Sequence, residues 1–154
     1  CNESAAAKGS VTVCVASAKA DAEILIWYVP GLTSRENSPL APVTAVYGNA
    51  DDMDVRARLP QVAQIELDGL LTVVTHGDQF GSPTPAALHA AFPAADIIVY
   101  GHTHRPLLEL VDKTVTVMNP GGAGARRFSL QPSVGIMELE AGLPPRARLV
   151  MLKP

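Results

Sequence analysis

Apolar residues along this chain come in short runs, not in helical stripes. Ile24–Tyr28 is one such run, ended by Pro30-Gly31, and reads as a buried strand entering a loop. Val11–Val15 alternates weakly and predicts a strand, and Ala41–Tyr47 is a β-branched run ended by Gly48-Asn49. Val62–Leu67 and Leu70–Thr75 flank Asp68-Gly69, the sequence of a two-residue hairpin turn. Leu107–Val111 with Thr114–Met118, and Ser133–Leu139 with Arg146–Leu152, predict two more hairpins. Asp96–Tyr100 is a further buried strand closed by Gly101. The helical signals are fewer. Pro85–Phe92 has good helix formers after a Pro start, and Ala-rich Ser17–Glu23 predicts one or two turns. Many strands with few helices imply an α/β or α+β layered domain.

Four of these strands end alike. A polar or metal-competent residue directly follows the apolar run in Gly48-Asn49, in His76-Gly77-Asp78, in Gly101-His102-Thr103-His104 and in Asn119-Pro120-Gly121-Gly122. Open α/β sheets place ligands beyond the carboxyl ends of their strands, so these four ends predict one shared site. His102 and His104 would point the same way in an extended chain and reach one metal ion, or two about 3.5–4 Å apart. Set against this, Gly-Asn is a common turn, and His76 suits a hydrogen-bonded core position equally well. His89 lies in the expected helix without a sequence partner and reads as structural or exposed. The glycines after Asn119, with Arg126 and Arg127, offer backbone N–H groups and guanidinium forks suited to an anion; an ordinary Gly-rich connection has the same composition.

Composition narrows the functional classes. The 154 residues suffice for one domain with a real core, burying roughly 70% of the unfolded surface. Twelve basic against 15 acidic residues argue against general nucleic-acid binding, which needs clustered Lys and Arg. No apolar run approaches a membrane span. Cys1 and Cys14 form neither a disulfide framework nor a zinc cluster. A chain that opens on Cys1 is expected to be a processed chain or a fragment; a mature lipoprotein also begins with Cys followed by polar residues. Residues 1–20 read as a divergent or flexible segment and 21–154 as the domain.

Taken in order, Gly48-Asn49, Thr75-His76-Gly77, Gly101-His102-Thr103-His104-Arg105-Pro106 and Asn119-Pro120-Gly121 resemble the motifs of the calcineurin-like metallophosphoesterases. The similarity is to their small single-domain bacterial and archaeal phosphodiesterases. It implies a four-layer αββα sandwich with two mixed sheets, and a cytoplasmic hydrolase that splits small-molecule phosphate esters with a metal-activated water. It implies two divalent metals, among manganese, nickel, iron and zinc. Asn49, His76 and His102 would bind one and His104 the other, with Asn49 and His104 at the reacting centre. Arg127 stands where the family has a basic residue, which suggests phosphate contact. The proton-donating His of larger relatives is replaced by Ala50.

The N-terminal part departs from that pattern. No Asp-x-His occurs in the chain. The equivalent positions fall near Ala18 and Ala20, and the bridging Asp of Gly-Asp falls at Pro30-Gly31. The helix expected between the first two strands is missing, which makes the strand–helix unit degenerate. Neutral ligands without a carboxylate hold a dication weakly. Glu23, Glu36, Asp51 or Asp78 are the candidate replacements, Asp78 foremost. Three accounts fit: a frame change upstream of residue 41, a catalytically inactive scaffold that binds a protein as the similar retromer subunit does, or a weak, rebuilt enzyme.

Overall fold

The computed structural model describes residues 43–123, 129–140 and 142–153, and the strand backbone of 11–17 and 24–30. Ten strands form two five-stranded sheets. The first has the order β10-β9-β1-β2-β3 and the second β4-β5-β6-β8-β7. The strands are β1 (Val11–Ser17), β2 (Ile24–Pro30), β3 (Val43–Val46), β4 (Val62–Leu67), β5 (Leu70–Thr75), β6 (Ile97–Tyr100), β7 (Leu107–Val111), β8 (Val115–Asn119), β9 (Ser133–Leu139) and β10 (Arg146–Met151). Two short helices, α1 (Met53–Arg58) and α2 (Pro85–Ala91), and a 3-10 turn at Asp78–Phe80 complete the described elements.

All three expected hairpins form. Leu67 pairs with Leu70 around Asp68-Gly69, and both turn residues have positive φ, as a turn matched to strand twist requires. Val111 pairs with Val115, so Thr114 lies in the second turn and not in the strand. β5, β6 and β8 run parallel, with β4 and β7 antiparallel at the edges. The second sheet is therefore mixed. The first is antiparallel at every described pairing, which corrects the expectation of two mixed sheets. Its cause lies in the 18–23 connection: six residues cannot carry the crossover a parallel pair demands. β1 and β2 therefore form a hairpin, Ser17 opposite Ile24. The expected helix does not begin at Ser17, the last residue of β1, and 18–23 lie outside the described residues.

Side-chain alternation divides the core in two. Val74, Ile97, Val99 and Met118 from the second sheet meet Val46, Met137 and Leu139 from the first. The opposite set, Val73, Ile98, Tyr100, Val115 and Val117, packs under Leu88 of α2. β6, covered on both faces, is buried at all four positions, and this is why it reads as an unbroken apolar run. α2 begins at Pro85, with Thr84 Oγ1 accepting the Ala87 N–H at 3.2 Å. Three layers, sheet on sheet with α2 outside, are visible among the described residues. No described helix is long and apolar enough to cross a membrane.

Candidate active site

The parallel run of β5, β6 and β8 brings three chain exits to one edge, and β3 reaches the same edge from the facing sheet. Asn49 and His76 meet there: His76 Nε2 lies 3.0 Å from Asn49 Oδ1. His102 stands beside them, its ring edge-on to His76 with centroids 5.2 Å apart. His104 packs at Gly122, where a Cβ would come within 3.3 Å of its Nδ1. The structure thus collects Asn49, His76 and His102 from three strand ends. Arg127, Ala18, Ala20, Gly31, Glu23 and Glu36 lie outside the described residues. His89 is remote from the site, on α2, with Nε2 3.4 Å from Asp112.

The His-x-His segment is not extended. His102 and His104 both adopt left-handed backbone, φ 63° and 55°, so the same-side geometry of a strand does not apply to them. Such conformations cost non-glycine residues about 1–2 kcal/mol each. They persist because neighbouring contacts hold the turn. Thr103 N–H bonds to Gly101 O at 2.7 Å, and Gly101 N–H bonds to His76 O at 3.0 Å. Fully buried Asn119 donates Nδ2 to Gly101 O at 2.9 Å and to Thr103 Oγ1 at 3.0 Å. Its Oδ1 accepts Gly121 N–H at 2.9 Å. Asn119 is therefore the post that fixes the histidine turn.

A second set of contacts fixes Asn49. Asp51 Oδ2 accepts Gly48 N–H at 2.7 Å, which commits one oxygen of this candidate replacement ligand to the loop. Arg56 of α1 donates Nη2 to Asn49 O at 2.8 Å and Nε to Asp51 O at 2.9 Å. Sequence reasoning missed α1 and Arg56. The signal was there: Asp52 caps Val55 N–H at 2.9 Å, Asp54 sits in the first turn, and Arg56 and Arg58 in the last.

Electrostatics set the state of His76. Burial pushes its pKa below the ordinary 6.5; Asp78 pulls it up, His102 and His104 push it down, and Asp51 adds a smaller pull upward. The imidazole is thereby kept neutral, the form that serves as a metal ligand. Its Nδ1 is buried without a hydrogen-bond partner, as is Asp78 Oδ1. Among the described residues, no group of three or more His, Cys, Asp or Glu side chains converges as a metal site would require.

A model of the calcineurin-like phosphoesterase superfamily domain matches residues 29–142. The chain belongs to that superfamily. Within it, the chain is 29% identical over 113 residues to a phosphodiesterase of Methanocaldococcus jannaschii, covering 65% of this chain and 64% of the relative. It thus spans just under two thirds of that protein's length. A Methanothermobacter thermautotrophicus protein with a metallophosphoesterase name is 28% identical over 122 residues, 75% of this chain and 69% of its own. Among solved structures, an archaeal phosphodiesterase matches with a TM-score of 0.52 at 27% identity, over 70% of this chain and 67% of that one. Vacuolar protein sorting 29 of Cryptosporidium parvum shares the fold, with a TM-score of 0.54 at 20% identity over 71% and 68%. The phosphoesterase fold and family membership expected from the motifs are thus established.

The donors at the described edge, an amide oxygen and imidazole nitrogens, are of types that hold divalent cations. Two ligands about 2.1 Å from a metal and at right angles lie about 3.0 Å apart. Asn49 Oδ1 and His76 Nε2 are joined by a hydrogen bond of 3.0 Å, which a shared cation would replace. Asn49, His76 and His102 are neutral donors; Asp78 and Asp51 act on His76 electrostatically, but among the described residues no three His, Cys, Asp or Glu side chains group together.

Proposed function

We propose that this chain is a phosphodiesterase-type hydrolase in which Asn49, His76 and His102 hold one divalent cation. The meeting of Asn49 Oδ1 with His76 Nε2 beside the His102 ring carries this reading. When bound, such a cation neutralises phosphate charge and lowers the pKa of a bound water. The protein's share is positioning. Arg56 and Asp51 fix the Asn49 carbonyl and loop, and Asn119 fixes the histidine turn. Burial keeps His76 unprotonated, so its nitrogen lone pair stays available near neutral pH. His104, packed against Gly122, is read from family likeness as a ligand of the other metal, and Arg127 as a phosphate contact. Family likeness supplies the rest of the reading: a small phosphate ester as substrate, manganese, nickel, iron or zinc as the cation, and a cytoplasmic setting.

Hydrolysis of bis(p-nitrophenyl) phosphate with and without added manganese tests the assignment. Metal-dependent turnover is expected, falling at least about 100-fold in His76→Ala and in His102→Ala. Turnover that survives both substitutions would remove the site.

The second reading is a scaffold that has kept the fold and lost catalysis. It is favoured by the neutral donor set and by Leu108 and Leu110, which are exposed on the same face of edge strand β7. Absence of both manganese binding and turnover decides for it.

A further inference from the structure

Beside His102 opens a cleft of about 630 Å³ that the phosphate chemistry does not use. Ser82 and Pro83, ahead of α2, line it. Tyr100, Arg105 and Leu107 also line it, and His102 is shared with the candidate site. The volume is that of small-molecule sites, about 300–1,000 Å³. Its walls are stiff: Pro83 is buried, and Tyr100 is 2% exposed at the end of the central strand. Its charge is one-sided. Arg105 is the cation among the described lining residues, and none of them is acidic. The apolar part comes from Pro83, Pro106 and Leu107, with hydroxyls from Ser82, Thr84 and Thr103.

We infer that this cleft receives the alcohol portion of the substrate, and that Arg105 selects alcohols bearing a second anionic group. The inference rests on the hydrolase reading, because His102 is shared by the cleft and the reacting edge. A diester whose phosphorus sits at Asn49, His76 and His102 can direct one of its two ester arms past His102, which the cleft shares. That arm enters the cleft. An aromatic or sugar-sized ring fits between Pro83 and Leu107, and a carboxylate or phosphate on it meets the guanidinium. The fork of Arg binds such groups by paired charge-assisted hydrogen bonds. A neutral arm leaves that cation without a counterpart and binds more weakly.

The test uses fragments of the arm and metal-free protein, so that it is independent of turnover. 4-Hydroxybenzoate and its neutral counterpart 4-hydroxybenzamide are titrated while backbone amide shifts are followed. The expected result is that the benzoate moves the amides of Ser82, Thr84, Thr103, Arg105 and Leu107, and binds about tenfold more tightly than the amide. Arg105→Gln should level the two, and Ser82→Trp, at an exposed position, should block both by filling the cleft. Equal affinity for the two fragments, a preference that survives Arg105→Gln, or shifts confined to other surfaces would overturn the inference. Hydrolysis of bis(p-nitrophenyl) phosphate by the unaltered protein reports the hydrolase reading separately. Fragment binding without turnover would sink that reading and leave the cleft standing; turnover without selective binding would do the reverse.

Discussion

His76 is the residue on which the site turns, and its burial makes a prediction about acid. The unfolded chain takes up this proton near the ordinary pKa of 6.5, while the folded chain resists it to lower pH. The stability due to neutral His76 is therefore present above 6.5 and is lost as pH falls through the lowered folded value. Melting temperatures measured from pH 7.5 down to 5 should fall less steeply in His76→Gln than in the unaltered protein. The ring also depends on a glycine: a Cβ at Gly48 would stand 2.7 Å from His76 Cγ and Cδ2. Gly48→Ala should cost about 1–3 kcal/mol in denaturant unfolding and displace the ring from Asn49, abolishing metal-dependent turnover. His76 was legible because it follows an apolar run directly, and Asn49 and His102 because each follows one after a single glycine. Arg56 was not, since its bonds reach back seven and eight residues to backbone atoms, and no local pattern encodes that reach.

Elements were read best where turn chemistry is strict. Asp68-Gly69 marks its hairpin because both residues must take positive φ. The Asp112-Lys113 turn has the same backbone demand, φ 48° and 64°, with a poorer residue at its second position. Lys113→Gly should stabilise the protein by about 0.5–1 kcal/mol, seen as a raised denaturant midpoint with unchanged slope. The end of the Ala41–Tyr47 run shifted by one residue to Val46, because Tyr47 leaves the strand pairing while still apolar in character; Ala41 and Pro42 lie outside the described residues. α1 was missed because its six residues bury nothing fully. A helix without a buried face leaves no apolar stripe to detect. The antiparallel β1–β2 pair was also not foreseen, although the six-residue gap contains its cause.

At the scale of the whole molecule, the proposed metal would link binding to folding. A cation held by Asn49, His76 and His102 would stabilise only the state in which the ends of β3, β5 and β6 meet. Added manganese should raise the melting temperature of the unaltered protein, a chelator should reverse the rise, and His102→Ala should abolish it. A flat response in a scanning-fluorimetry titration would speak for the scaffold.

The two sheets differ in how they draw on the chain. All five strands of the second lie within one stretch, Val62 to Asn119, whereas the first joins Val11–Val46 to Ser133–Met151 through the β1–β9 pairing. During synthesis the second sheet can close before β9 has been made, yet its inner face stays uncovered until Met137 and Leu139 arrive. Long-range pairing of that kind is slow. Amides of β5 and β6 should gain protection from hydrogen exchange before those of β1. A chain ending before Ser133 would hold every strand of the second sheet but lack Met137 and Leu139, leaving part of its inner apolar face open.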